Sequence, residues 1–206
     1  MLYALQLLGV AAFAISGVEA SRSKSPDIVG AFILAFATAL GGGVIRDAIL
    51  GRPVHAFGDG NYLYVILGAT LLALWLPGAL HRRLGSPLRV ADAIGLGLFN
   101  ATGMVTALES GVVTPVFAVV LGAITGSGGG IIRDVLCGVM PALLRPGEVY
   151  ITACLAGGAA GLLTLALGAS LNVTGVTIAA VTITLRLLAI RFDWKLAPIQ
   201  RDEVRE

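Results

Sequence analysis

The chain alternates long apolar runs with short polar ones. Seven runs predict membrane-spanning helices, at about 2–19, 28–50, 62–80, 90–108, 112–138, 149–168 and 171–190. A helix crossing about 30 Å of hydrocarbon needs about 20 such residues. The separators carry the turn-forming and charged residues: "EASRSKSPD", "GRPVHAFGDGN", "PGALHRRLGSP", "ESG", "MPALLRPGE" and "GAS". The division between the fourth and fifth runs is the least marked. The first run has no Lys or Arg before its apolar core, and "SGVEASR" is a weak cleavage site. It is expected to be a mature helix rather than a secretory signal. The pattern predicts an all-α polytopic membrane protein.

The polar positions also repeat. "AFAISGVEAS" from Ala12 aligns with "LFNATGMVTA" from Leu98, pairing Phe13 with Phe99 and Gly17 with Gly103. "ALGGGVIRDAILGRPV" from Ala39 aligns with "GSGGGIIRDVLCGVMP" from Gly126, after a slip of one residue. Gly51 then matches Gly138, and the third and sixth spans follow in register. The expected organisation is one transmembrane domain over 1–190. Repeat one covers about 2–80, repeat two about 90–168, and a seventh helix 171–190, with a short tail over 191–206. Three is odd, so the second copy enters the membrane from the opposite side. The halves form an inverted repeat, an arrangement common in proteins that move solutes.

Charge sets an expected orientation. Arg22, Lys24, Arg82, Arg83, Arg89, Arg145, Arg191, Lys195, Arg201 and Arg205 fall on one side, while Arg52, near His55, falls on the other. Basic residues favour the cytoplasm, which puts the C-terminus inside and the N-terminus outside. Trp194 is expected to anchor the tail at the interface.

Composition strengthens the membrane reading. Of 206 residues, 57% are hydrophobic and 13% charged, about half the usual charged fraction. The mean hydropathy is +0.92. A net charge of +2 is too small to suggest nucleic acid as a partner. Cys137 and Cys154 lie in apolar runs without metal-ligand spacing and read as small buried residues, not a disulfide. His55 and His81 sit in loops without ligand-spaced partners. No "GxSxG", "HExxH" or "GxxxxGK[ST]" occurs, and "GSGGG" at Gly126 follows no strand. No enzyme, cofactor or bound metal is expected.

Candidate chemistry concentrates in "GGGVIRD", Gly41–Asp47, and "GGGIIRD", Gly128–Asp134. Each glycine costs a helix interior about 1 kcal/mol relative to alanine. Gly41, Gly42 and Gly43, like Gly128, Gly129 and Gly130, therefore predict a kink or short unwound stretch. Freed carbonyls must face protein or a wet cavity, where they could transiently ligate K+ or Na+. Thr38, Thr125 and Ser127 lie just before the breaks and could add hydroxyl oxygens. The other reading of the glycines is close helix crossing. Arg46 and Asp47, and Arg133 and Asp134, share a helix face with Gly43 and Gly130 respectively. Intramembrane charges are costly and usually face a polar interior. These pairs could line or gate a pore, or lock helices together as structural pairs.

Asn100, Thr102 and Thr106 form a polar stripe on the fourth span, with Ser16 in the matching part of the first. Interhelical hydrogen bonding is the expected use. Asp92, Glu109 and Glu19 lie near span ends and are expected to be solvated, and Arg186 to snorkel. "GGAAG" from Gly157 to Gly161 predicts a small-residue packing face on the sixth span.

The paired "GGG-x-I-R-D" motifs, seven spans and the three-plus-three-plus-one repeat resemble the prokaryotic trimeric intracellular cation (TRIC) channel family. Bacterial sequences of this type are also described as glycine transporter domains. The resemblance covers about residues 2–190. It implies a homotrimer in the cell membrane of a bacterium or archaeon, with a pore in each subunit and lipids around it. It implies permeation by monovalent cations, mainly potassium, past second and fifth helices kinked at Gly41–Gly43 and Gly128–Gly130. The motif charges become Arg46, Asp47, Arg133 and Asp134. Animal members carry a lysine-containing motif where this chain has Arg-Asp, so their voltage gating and store regulation do not carry over. The runner-up is a secondary transporter of a small solute such as glycine. A third reading is an assembly or lipid-handling protein without a continuous pore.

Overall fold

The computed structural model describes residues 1–75 and 87–197. Seven α-helices account for most of them: α1 Leu2–Ser21, α2 Ile28–Ile49, α3 Asn61–Trp75, α4 Pro87–Ser110, α5 Pro115–Leu136, α6 Ile151–Ala166 and α7 Leu171–Phe192. Short 3-10 turns lie at Arg22–Lys24, His55–Gly58 and Ala142–Leu144. α1, α2, α4, α5 and α7 are long and apolar enough to cross a membrane, while α3 and α6 are shorter. The end of the third predicted span, the loop with His81, Arg82 and Arg83, and the tail from 198 lie outside the described residues.

Local chemistry sets the helix ends. Asp27 caps α2 by accepting from the Gly30 amide at 2.7 Å, and Ser170 caps α7 by accepting from Val173 N. Thr114 caps α5 in the same way, with Pro115 at its first turn. That pairing starts α5 at Pro115 rather than at the predicted 112, because proline suits a first helical turn that lacks amide partners. After α2 and α5 the chain reverses through Gly51 and Gly138, at φ 65° and 66°. This left-handed conformation strains residues that carry a Cβ.

The inverted repeat appears as reciprocal contacts. Phe13 and Phe99, matched in the alignment, stack on each other with centroids 5.3 Å apart. A Cβ on Gly95 would lie 2.5 Å from the Phe13 ring, and one on Gly9 would lie 3.0 Å from the Phe99 ring. Each half thus supplies a flat glycine surface for the other half's phenylalanine, as a pseudo-two-fold axis requires. α1 and α4 meet there. α4 is the central helix, buried along most of Ala91–Ala107 against α1, α5 and α7.

The seventh helix breaks the symmetry. α7 packs on α4 and α6, and it has no counterpart in the first half. Gly157 and Gly161 let it approach α6 closely, against Thr182 and Ile178, while Gly158 meets Val119 of α5. The "GGAAG" stripe is therefore used within the chain. Asn100 ties the same three helices, donating to Cys154 O at 3.0 Å and Thr182 Oγ1 at 2.9 Å. Cys137 and Cys154 are free and buried.

Candidate functional site

The two glycine triplets form the crossing of α2 and α5. A Cβ on Gly42 would overlap the carbonyl oxygen of Thr125, and one on Gly129 would overlap that of Thr38. A Cβ on Gly41 would strike Ile132, and one on Gly128 would lie 3.1 Å from Ile45. Every contact has its mirror image, so the helices run antiparallel through the pseudo-axis with backbones touching. Only glycine permits this approach. Gly43 and Gly130 face away from the crossing, toward Arg46 and Arg133.

Of the two forms expected at the glycines, the unwound one is not found. Neither helix is unwound at its glycines: Ile28–Ile49 and Pro115–Leu136 are each unbroken α-helix. The propensity penalty of glycine is small against the packing gained when two backbones touch, so tertiary contact holds the helical form. Thr38 and Thr125 are fully buried, and their hydroxyls donate back to Leu34 O and Leu121 O, each at 2.6 Å. Ser127 donates to Ala123 O at 2.8 Å. Their protons are engaged within their own helices.

Each charged motif closes the turn after its helix. Asp47 Oδ1 accepts from Arg46 Nε at 2.8 Å and lies 3.0 Å from Arg52 Nε in an ion pair, while Oδ2 accepts from the His55 amide at 3.0 Å. Asp134 Oδ1 accepts from Arg133 Nε at 2.8 Å, and Oδ2 accepts from the Ala142 amide at 2.9 Å. Arg145 sits 3.7 Å from Oδ2. The aspartates thus organise equivalent reversals at opposite ends of the crossing. All four motif charges are almost completely buried.

The arginines then differ. Arg133 Nη1 donates to Asp92 Oδ1 at 2.6 Å and to Ser16 Oγ at 2.5 Å. Tyr150 also donates to Asp92, at 3.3 Å. Asp92 is therefore a buried partner of the second motif, not a solvated residue. Its place near a span end concealed this, although its counterpart relation to Gln6 lay within the repeat. Arg186 is likewise corrected. It is 4% exposed, donates to Glu148 at 2.6 Å and lies 4.9 Å from the Tyr150 ring centre. A carboxylate and an aromatic face at hand remove the reason to snorkel. Glu19 is largely covered beside Arg22, whereas Glu109 is exposed.

A cavity lies beyond each end of the crossing. One is lined by Gln6, Gly43, Arg46, Asp47, Tyr62 and Phe99. The other is lined by Arg89, Asp92, Arg133, Asp134, Glu148 and Arg186, among others. At the rim of the first half, Tyr3 donates to Asp59 at 2.5 Å, and this bond holds the Asp59 carboxyl below its usual range. In the tail, Leu196 N donates to Gly147 O at 2.9 Å, so the segment after α7 is pinned to the α5–α6 loop. Trp194 is half exposed and stacks on Phe192. No cluster of metal-ligating side chains occurs among the described residues.

This architecture has solved counterparts. A crystal structure of the TRIC trimeric intracellular cation channel orthologue from Rhodobacter sphaeroides superposes with a TM-score of 0.84 at 34% identity, covering 93% of this chain and 98% of that one. The fold and the mirrored site define the class: a multi-pass, all-helical membrane protein with the TRIC channel fold. A profile of the glycine transporter family matches residues 3–77 and 89–166, one segment for each three-helix half. A UPF0126 membrane protein of Vibrio cholerae is 41% identical over 200 residues, covering 95% of this chain and 82% of that protein. The UPF0126 inner membrane protein YadS of Escherichia coli K12 is 39% identical over 209 residues, covering 98% of each. The chain belongs to this glycine transporter (UPF0126) family.

Proposed function

We propose that the protein is a channel for monovalent cations, chiefly potassium, with a path in each subunit of a homotrimer. The observation that carries the reading is the mirrored α2–α5 crossing, where glycines let the two backbones touch, with a charged cavity beyond each end. Such a contact is a seal that opens when the two helices part. Parted helices would present the Thr38 and Thr125 carbonyls, with the hydroxyls of Thr38, Thr125 and Ser127 beside them. Backbone oxygens of this kind can replace the water around a cation. Arg46–Asp47 and Arg133–Asp134 would frame the two mouths and hold their loops. The N-terminus would lie outside and the C-terminus in the cytoplasm. The likeness to a TRIC orthologue at 34% identity supports the same reading.

The test is planar-bilayer recording from purified protein in asymmetric potassium and sodium solutions. Discrete unitary currents that reverse near the potassium potential are expected. The family description favours a second reading, transport of glycine or a similar small solute. Saturable, gradient-coupled glycine uptake without unitary currents would replace the channel with a carrier.

A further inference from the structure

We infer that the α2–α5 crossing has one fixed end and one moving end. α7 holds the last turns of α5 in place through Arg186, Tyr150 and Asp92, while the last turns of α2 swing. The inference rests on the channel reading only for its consequence, that the path opens from the first-half side. The two helix ends match in sequence, "GGGVIRDAIL" from Gly41 against "GGGIIRDVLC" from Gly128. Their burial matches too. Arg46, Asp47 and Leu50 are buried, as are Arg133, Asp134 and Cys137, and Ala48 and Ile49 are exposed, as are Val135 and Leu136. The ends differ in what they are tied to.

At the second end, Arg133 Nη1 donates to Asp92 of α4 and to Ser16 of α1. Tyr150, immediately before α6, donates to the same Asp92, and its hydroxyl lies 2.7 Å from where a Cβ on Gly130 would stand. α7 backs this group. Arg186 Nη1 donates to Glu148 Oε2 at 2.6 Å and to Val149 O at 3.2 Å, with its guanidinium over the Tyr150 ring. The segment after α7 pins the same stretch, with Leu196 N on Gly147 O. At the first end, the bonds of Arg46 and Asp47 stay within α2 and the loop that follows it. Among the described residues, no side-chain hydrogen bond or ion pair joins the last two turns of α2 to another helix. Tyr62 stands at the start of α3 as Tyr150 does before α6, but its hydroxyl has no partner among the described residues. The rings of Tyr3 and His55 meet it edge-on. The other polar ties of the first half bypass α2. Tyr3 and Asp59 join α1 to the loop before α3, and Arg22 joins α1 to Ala73 O of α3. Cross-ties between elements raise the free energy of local opening, so the end without them opens first. Arg186 acts through Tyr150 and Glu148, as a positioning residue for Asp92 and Arg133.

Amide hydrogen exchange on the full chain in detergent compares the two ends within one molecule. The amides of residues 44–50 should exchange about tenfold faster, or more, than those of residues 131–137, since one hydrogen bond to a charged group shifts an opening equilibrium by about that factor. Arg186→Gln should speed exchange at 131–137 about fivefold and leave 44–50 unchanged. Glu148→Gln should act in the same direction, and Arg186→Lys, which keeps a charge opposite Glu148, should restore part of the protection. A general loss of stability would instead speed both ends alike. Equal protection of the two ends in the wild-type protein would overturn the proposal. Arg186→Gln acting equally on both ends, or on neither, would remove α7 from the fixed end and overturn it too. Bilayer recording reports separately on the channel reading: exchange asymmetry without unitary currents would remove the channel and leave the fixed and moving ends standing.

Discussion

A methyl group on Gly42 has nowhere to go, because the carbonyl oxygen of Thr125 occupies its place. On Gly43 the nearest atom outside its own helix would be 3.9 Å away. Neighbouring glycines in one triplet therefore do different work, and substitution separates them. Gly42→Ala or Gly129→Ala should lower stability by about 1–3 kcal/mol, the usual cost of overpacking. Gly43→Ala should be neutral or stabilising by up to about 1 kcal/mol, since alanine is the better helix former. Thermal unfolding of the three variants checks this, and equal losses would refute the placement of the crossing. At Asp92 the same scale gives a second prediction. Asp92→Asn leaves Arg133 with one fewer buried counter-charge and should cost about 3 kcal/mol. Glu109→Gln, at an exposed position, should change stability by less than about 0.5 kcal/mol.

Among the helices, α4 carries the polar links that lipid cannot supply. Asn100 joins it to α6 and α7 through two hydrogen bonds. Asn100→Ala should cost about 2 kcal/mol, at about 1 kcal/mol per bond lost. It should also loosen α7 first, seen as faster proteolysis after α6 with the first half still protected. The helices themselves were readable from the apolar runs, and the caps from Asp27, Thr114 and Ser170. The unbroken form of α2 and α5 was not. Glycine propensity is a local quantity and favours a break. The crossing that overrides it involves residues about 87 positions apart, such as Gly42 and Gly129.

For the whole molecule, the proposed channel turns the crossing into a gate. Gly42→Leu or Gly129→Leu should reduce unitary conductance in protein that still assembles, because the side chain would occupy the space the parting helices open. Unchanged conductance would move the path away from α2 and α5.

The sequence alone determined that the chain lies in a membrane, that it holds seven helices in two inverted copies plus one, and that its chemistry centres on two matched motifs. Those properties follow from run length, charge placement and alignment, all of which are written along the chain. Tertiary structure decided what the motifs do. It brought Thr38 against Gly129 and Thr125 against Gly42, turned Asp92 inward to Arg133, and set Arg186 on Tyr150. It also left Arg46 Nη1 and the Tyr62 hydroxyl without hydrogen-bond partners among the described residues. The physical reason is that a buried charge or a bare backbone takes its meaning from its neighbour, and these neighbours come from distant parts of the chain.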